Sequence, residues 1–165
     1  MQKLKIWGWD KKERTMVRYI KNGDIFCFKM DENGYCFGRI IAKVDFGHLS
    51  EIFDYISEEP CITLECLEKI SRIMAPIVLD SYSLFDKKIV GEWRIIGRQE
   101  DYTAPDFDDI YLTFGIDNDW KKLDLYGNIT KISKEEHLKY ISSSPIGDYI
   151  VKSLIQQHRR NVSKY

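Results

Sequence analysis

The sequence predicts an α+β protein with a strongly curved, mostly antiparallel sheet, a short middle helix and two C-terminal helices. Three features predict this class. A hairpin pattern occupies residues 21–43, further strand-like runs separated by turn residues extend to about residue 132, and helix-capping signals occur at positions 63, 133 and 144. A sheet built largely from hairpins is antiparallel, because each short turn reverses the direction of the chain.

Length and composition limit the class of protein. With 165 residues, of which 44% are hydrophobic and 13% aromatic, the chain can bury a substantial core as one domain, 1–165. The formal net charge of −1 lacks the basic excess of most phosphate-binding domains, which disfavours nucleic-acid binding. The N-terminus has no signal-peptide apolar region and no apolar run approaches a membrane span, so a soluble cytoplasmic protein is expected.

The first strand is predicted within residues 4–9, where apolar positions alternate with the others. Residues 15–20 are β-prone and could pair with it. Trp7 and Trp9 would then share one face of the strand. Packing in the core or at a sheet edge is the ordinary role of such rings, and an exposed aromatic patch for a partner is the alternative.

The hairpin over residues 21–43 is the organising element of the chain. A turn at Asn22-Gly23 precedes the β-prone run 25–30, and Asn33-Gly34 is the strongest short hairpin signal in the sequence. The return strand is predicted from residue 35 to about 44. Its even positions are small or apolar and should face the core, whereas its odd positions should face a partly wet side. Gly38 predicts a bulge or a close backbone approach.

The middle of the chain holds shorter elements. Thr63 can cap a helix over residues 64–73, which Pro76 ends. Short strands are predicted at 77–79, at 92–96 with Trp93 in the core, and at 110–115, and a second hairpin pairs 121–125 with 128–132. Residues 50–57 fit a helical stripe as well as a strand.

Two helices are predicted to close the chain. Ser133 and Glu136 form a capping box for a helix that runs to about residue 141. Ser144-Pro145 then begins a second helix. Its apolar stripe extends to His158 and should pack on the sheet, and Arg159-Arg160 lie at its C-terminal end, where the helix dipole favours cations.

Two segments carry a family resemblance. One begins at Gly23-Asp24-Ile25-Phe26 and continues through an apolar strand and a turn to YCFGRI at 35–40, and the other is GEWRIIG at 91–97. In this order and at this separation, they resemble the immunity protein 26 family of bacterial polymorphic toxin systems. The second segment is similar to that family's Gly-x-Trp-x-x-x-Gly motif. The resemblance covers residues 21–107 and implies a strand at 50–57 and a protein that inhibits a partner.

An acidic segment with aromatic residues, 99–109, is the candidate contact surface. Such a composition suits a basic partner, because charge steers the encounter and rings supply buried anchors. A solvated acidic connector is the alternative. The predicted partner-binding residues are Glu100, Asp101, Tyr102, Asp106, Phe107, Asp108 and Asp109.

Few residues in the sequence suggest catalysis or metal binding. His48 lies near Asp45 and Ser50, but neighbours in a turn rarely hold triad geometry, so a solvated loop histidine is expected. The four cysteines, Cys27, Cys36, Cys61 and Cys66, form no CxxC pair and are expected to be buried free thiols rather than zinc ligands. No enzyme activity, metal or cofactor is therefore predicted.

The leading hypothesis is an immunity protein that neutralises a cognate toxin, expected to be basic, by stoichiometric occlusion. Neither nucleic acid nor a membrane is expected as a partner. The alternative is an SH3-like or partly open barrel that binds nucleic acid or acts as an RNase, because Gly-Asp-Ile followed by a hairpin also opens such barrels. A small-ligand pocket between the sheet and the last helix is a third interpretation.

Overall fold

A computed structural model describes residues 3–32, 34–87 and 91–163. The strands are β1 (Leu4–Ile6), β2 (Asp24–Asp31), β3 (Gly34–Val44), β4 (Gly47–Ser57), β5 (Ile77–Leu79), β6 (Trp93–Gln99), β7 (Tyr111–Ile116), β8 (Asp119–Asp124), β9 (Ile129–Ile132) and β10 (Ile141–Ser142). The α-helices are α1 (Leu64–Lys69), α2 (Lys134–His137) and α3 (Asp148–Val162). Within these described ranges, no helix has the length and apolarity needed to cross a bilayer.

The strands form two sheets. The larger sheet is antiparallel, with strand order β1-β6-β2-β3-β4-β5. The smaller sheet has the order β10-β7-β8-β9, and it is mixed because β10 pairs with β7 in parallel. The predicted α+β class is therefore confirmed. The larger sheet ends at β1 and β5 and does not close into a barrel in the described part of the chain.

The central hairpin is confirmed, and both faces of its return strand contain buried side chains. β2 pairs with β3 as predicted, although Asn33 of the predicted turn lies outside the described residues. The odd-numbered face is partly wet, as expected, at Tyr35, Arg39 and Lys43. Phe37 and Ile41 on the same face, however, are fully buried. Two features explain this: α1 and its flanking residues cover the second face near Phe37, and bulges along β3 shift which side chains share a face.

The predicted bulge or close approach at Gly38 is confirmed. The register between β3 and β4 shifts beside it, and a methyl group added there would lie 2.3 Å from both the Glu51 carbonyl oxygen and the Phe26 ring. The Phe26 ring therefore packs directly over the backbone of β3. Phe28 and Trp93 continue this layer, with ring centroids 3.9 Å apart.

The last helix packs on this aromatic layer, as predicted. Val151 and Ile155 of α3 are fully buried in the cluster that contains Phe28 and Trp93. The indole N–H of Trp93 donates a 2.7 Å hydrogen bond to the carboxylate of Asp148 in the first turn of α3. The helix begins at Asp148 rather than at residue 145, because residues 144–147 first connect to the sheet through Ile146.

Three further predicted elements differ from the structure. Residues 15–20 do not pair with β1. They form a 3-10 turn, Val17–Tyr19, tied to the Asp86 carboxylate through the Val17 amide. The helix after Thr63 ends at Lys69 instead of residue 73, although Thr63 does cap it by accepting from the Cys66 amide. The helix capped by Ser133 ends at His137, since Ile141 pairs with β7 as part of β10.

The two N-terminal tryptophans pack against the protein but on different clusters. β1 ends at Ile6, so Trp9 begins a 3-10 turn and does not share a strand face with Trp7. Trp7 packs on the cluster of Trp93, and Trp9 meets Tyr35 edge-on with ring centroids 5.3 Å apart. The predicted packing of the two rings is thus confirmed, and the prediction that they share a strand face is wrong.

Candidate functional site

The acidic loop, residues 100–109, joins β6 of the larger sheet to β7 of the smaller sheet. It therefore follows directly the strand that carries Trp93. Asp101 has a left-handed backbone with φ 57, which aspartate tolerates better than most residues. A 3-10 turn, Phe107–Asp109, ends the loop.

The predicted partner-binding residues fall into three exposure classes. Asp101, Asp108 and Asp109 are exposed, and Glu100, Asp106 and Phe107 are partly buried. Tyr102 is buried, with 8% of its surface exposed. The loop thus presents carboxylates at both ends, while its first aromatic ring faces the protein interior.

A buried carboxylate lies beneath the loop and holds Tyr102. Glu51 of β4 is 3% exposed, and its Oε1 accepts a 2.9 Å hydrogen bond from the Tyr102 hydroxyl. Arg39 of β3 donates to the same oxygen at 2.7 Å, and Arg72 donates to Oε2 at 2.6 Å. Burial and the Glu51 charge raise the pKa of Tyr102 to about 12, so the phenol remains protonated at neutral pH.

Arg72 joins this network to the second half of the loop. Its two terminal nitrogens donate to the two carboxylate oxygens of Asp106 at 2.6 and 2.9 Å. This two-point contact fixes orientation as well as distance. The hydrogen bonds from Arg72 also hold the pKa of Asp106 below its ordinary value.

Arg39 completes the network without presenting a free charge. Its guanidinium lies over the Tyr102 ring, 3.8 Å from the centroid, and it also donates to the side-chain oxygen of Gln99. Two guanidinium groups, Arg39 and Arg72, thus face two carboxylates, Glu51 and Asp106. The arrangement neutralises charge internally and ties the loop to β3 and β4.

The far end of the loop contacts the second hairpin. Phe107 packs edge-on against Tyr126, with ring centroids 5.5 Å apart, and the Tyr126 hydroxyl donates to the carboxylate of Asp108. Tyr126 lies between β8 and β9 and is 69% exposed. This end combines an exposed aromatic ring with the neighbouring carboxylates of Asp108 and Asp109.

Sequence reasoning missed Glu51, Arg39 and Arg72. Glu51 lies 12 residues from Arg39 and 21 residues from Arg72 in the sequence. The loop partners are farther away, with Tyr102 51 residues from Glu51 and Asp106 34 residues from Arg72. One signal was present, since Glu51 is a lone charge in the apolar strand stretch 49–53, and a buried carboxylate requires partners. Nothing local in the sequence identifies which cations those partners are.

His48 is buried in β4, so the expectation of a solvated loop histidine is wrong. Its Nδ1 lies 2.8 Å from the Ser81 hydroxyl, and its Nε2 has no hydrogen-bond partner in the described part of the chain. Burial lowers its pKa to about 4. The Ser50 hydroxyl donates to the backbone carbonyl of His48 and not to the ring, so the three residues do not form a triad.

The cysteines are free, but only two of them are buried. Cys27 and Cys36 are enclosed by the core, and burial raises the pKa of Cys36 to about 11. Cys61 is exposed and Cys66 partly exposed, so the prediction of buried thiols is wrong for this pair. Cys61 precedes the short helix α1 and Cys66 is the third residue of that helix, which covers the sheet with one face.

The two motifs that carry the family resemblance contain residues that hold neighbouring strands together. A side chain at Gly23 would lie 2.1 Å from the Gln99 carbonyl oxygen, and one at Gly97 would lie 2.7 Å from the Lys5 carbonyl oxygen. Asp24 is fully buried, accepts from the Lys21 amide and pairs with Arg98. These residues bring β2, β6 and β1 into close contact, and they place the start of the acidic loop.

The comparison with protein families supports the resemblance that the two motifs carry. The family model described as Immunity protein 26 matches residues 21–122, more than half of the chain, and includes both motifs, the Glu51 network and the acidic loop. No curated protein and no solved structure matches the chain. The resemblance carried by the two motifs is thereby confirmed, and the chain belongs to the immunity protein 26 family.

Proposed function

We propose that this protein binds a cognate bacterial toxin and neutralises it by stoichiometric occlusion, without catalysing a reaction. Membership of the immunity protein 26 family is the observation that carries the proposal, because it supports an immunity function. The partner is then a toxin protein, and the protective step is the formation of a complex. The acidic loop is the surface that we assign to this contact.

The exposed carboxylates of the loop favour a basic partner. Asp101, Asp108 and Asp109 face solvent, whereas the charges of Glu100 and Asp106 are matched by Lys5 and Arg72. Exposed charge of one sign speeds association with an oppositely charged surface. Toxins that act on nucleic acid are commonly basic, so this surface suits such a toxin.

The network beneath the loop supports binding by limiting its motion. Tyr102 is fixed by Glu51 of β4 and by Arg39 of β3, and Asp106 is fixed by Arg72, which lies next to β4. A loop that is already ordered loses less conformational entropy when a partner binds. Tyr126 and Phe107 add rings beside the carboxylates, as anchors for the contact.

The proposal is tested with the protein encoded by the gene preceding this one, since immunity genes usually follow their toxins. The double variant Asp108→Lys/Asp109→Lys reverses two exposed charges. We expect it to weaken toxin binding, measured by calorimetry, by roughly tenfold or more, because charged interface pairs contribute on the order of 1.5 kcal/mol or more each. Asp106 is left unchanged, since a lysine there would face Arg72 and disturb the fold.

The matched control is Glu58→Lys/Glu59→Lys, which makes the same change in charge in the exposed loop after β4. We expect this variant to bind within about twofold of the unmodified protein, apart from a general charge effect that salt removes. Equal losses of affinity in the two double variants would contradict the assignment of the acidic loop. Circular dichroism establishes that both variants are folded.

A further inference from the structure

We infer that a groove beside the acidic loop receives a basic side chain of the toxin, lysine or arginine, carried between apolar residues. This inference rests on the proposed function and names a second part of the same contact surface. The groove lies between β1, α1 and residues 99–105, and its volume is about 530 Å³. It will be called the α1 groove.

The walls of the α1 groove are apolar and contain exposed leucine surface. Leu64 is 51% exposed at the start of α1, and Leu4 of β1 and Pro105 of the acidic loop lie across from it. Tyr102 forms part of the lining, and its ring is already fixed by Glu51. Such walls accept a hydrocarbon chain without displacing any strongly bound polar group.

The α1 groove offers one carboxylate, that of Glu68, rather than a free cation. Arg39 lines it, but this guanidinium is matched by Glu51 and Gln99 and stacked on Tyr102, so it has little capacity for an anionic ligand. Glu68 lines the groove from the exposed face of α1, and exposed Asp101 directly precedes Tyr102. Neither Glu68 nor Asp101 has an ion-pair partner among the residues that the structure describes, so the charge beside the groove is negative.

The lysines on either side of Leu4 do not cancel this charge inside the groove. Lys5 follows Leu4 in β1, and because successive strand residues point to opposite sides, its side chain lies on the face away from the groove. Lys5 pairs with Glu100 at 2.6 Å. The hydrogen bond from Lys5, with the nearby charge of Lys3, lowers the pKa of Glu100. Lys69 of α1 pairs with Glu65, which lies on the other side of that helix.

A lysine or arginine side chain matches both properties of the α1 groove. Its methylene groups can lie against Leu64 and Pro105 while its charged end reaches a carboxylate, as such side chains commonly do at apolar surfaces. Flanking apolar residues on the toxin would cover the exposed leucine surface. The occupant is therefore a short basic segment with apolar neighbours, and it approaches the N-terminal end of the same loop whose C-terminal end carries Asp108.

A matched pair of charge reversals on α1 tests the α1 groove with the toxin. Residues 64, 67 and 68 line the groove, whereas Glu65 lines a separate depression with Cys66 and Lys69. Glu68→Lys should weaken toxin binding about tenfold or more, and Glu65→Lys should leave it within about twofold. Equal affinities of the two variants would overturn the groove assignment while leaving toxin binding itself intact.

A peptide experiment tests the chemistry without the toxin. The probe is acetyl-Leu-Arg-Leu-amide, and acetyl-Leu-Glu-Leu-amide is the control, each titrated to millimolar concentration into isotope-labelled protein. We expect amide shifts of Leu64, Glu68 and Thr103 with the arginine peptide, and a loss of these shifts in Glu68→Lys. Shifts that are absent, or that are equal with the glutamate peptide, would overturn the inference. The proposed function is judged separately, by whether the unmodified protein binds the toxin.

Discussion

Glu51 shows how one buried carboxylate can determine the position of a surface loop. Its two oxygens accept from Arg39, Arg72 and Tyr102, and Arg72 in turn holds Asp106. A carboxylate with 3% exposure is costly to bury unless it is fully paired. Here it is paired by groups from a neighbouring strand, from the segment after α1 and from the loop itself.

Glu51→Gln is expected to destabilise the protein by about 3 kcal/mol, because removal of one charge from a buried pair leaves its partners unmatched. Urea unfolding measures the effect. The control is Glu65→Gln, whose pair with Lys69 is exposed at both ends and should contribute less than about 0.5 kcal/mol. Similar losses of stability in both variants would contradict the role given to Glu51.

Because His48 is buried, we expect the protein to lose stability in mild acid. Burial lowers its pKa to about 4 in the folded protein, whereas an unfolded histidine has a pKa near 6.5. The unfolded state therefore binds an extra proton between these values, and the stability present above pH 6.5 is lost as the pH falls towards 4. Lys43, paired opposite His48 in the β3–β4 register, adds to the cost of protonation.

The measurement is the free energy of unfolding at pH 7 and pH 5 for the unmodified protein and for His48→Asn. We expect a decrease of about 1–2 kcal/mol in the unmodified protein that is smaller in the variant, since each pKa unit corresponds to about 1.4 kcal/mol. His137→Asn, whose ring stacks on Trp120 at a partly exposed site, is the control and should retain the decrease. An unchanged pH dependence in His48→Asn would refute this explanation.

At the scale of the elements, Gly23 fixes the junction between β2, β3 and the acidic loop. Its amide donates to the Ile40 carbonyl, its carbonyl accepts from the Gln99 amide, and its φ is 84. An added methyl group would lie 2.1 Å from the Gln99 carbonyl oxygen. The turn therefore requires glycine for its backbone conformation and for space.

Gly23→Ala and Gly127→Ala separate these two requirements. Gly127 also has a positive φ, 95, but a methyl group there would meet no atom within 4 Å. Gly127→Ala should cost about 1 kcal/mol from backbone strain alone. Gly23→Ala should cost at least about twice as much, since backbone atoms must move apart. Equal changes in melting temperature would show that the contact with Gln99 is unimportant.

Elements with local signals could be predicted from the sequence, and elements that depend on distant partners could not. The Ser133 cap is confirmed, because its hydroxyl accepts from the Glu136 amide three residues later. The predicted end of that helix, at about residue 141, is wrong, because Ile141 pairs with Leu112, which is distant in the sequence. Similarly, residues 15–20 do not form a strand despite their β propensity, because the Val17 amide donates a hydrogen bond to the distant Asp86 carboxylate.

At the scale of the whole molecule, the fold class and the family were accessible from the sequence, but the candidate site was accessible only in part. The acidic loop stood out by composition, whereas the burial of Tyr102 and the pairing of Asp106 depend on Glu51 and Arg72. Composition cannot separate a free carboxylate from a paired one. Asp101, Asp108 and Asp109 remain as the exposed carboxylates of the predicted set.

The proposed mechanism predicts that toxin association depends strongly on salt. If exposed carboxylates steer the encounter, the association rate should fall several-fold between about 50 and 300 mM salt, while dissociation changes less. Stopped-flow fluorescence can follow the reaction through tryptophan emission. An association rate that is independent of salt would contradict steering by the acidic loop.

The most direct test of occlusion is a titration of toxin activity with the purified protein, at toxin concentrations far above the dissociation constant. A protein that acts by stoichiometric binding should abolish activity along a straight line that ends at one equivalent. Loss of activity at a small fraction of one equivalent would mean that the protein destroys or modifies the toxin catalytically. Full activity in the presence of excess protein would mean that this toxin is not neutralised, and either result would contradict neutralisation by stoichiometric occlusion.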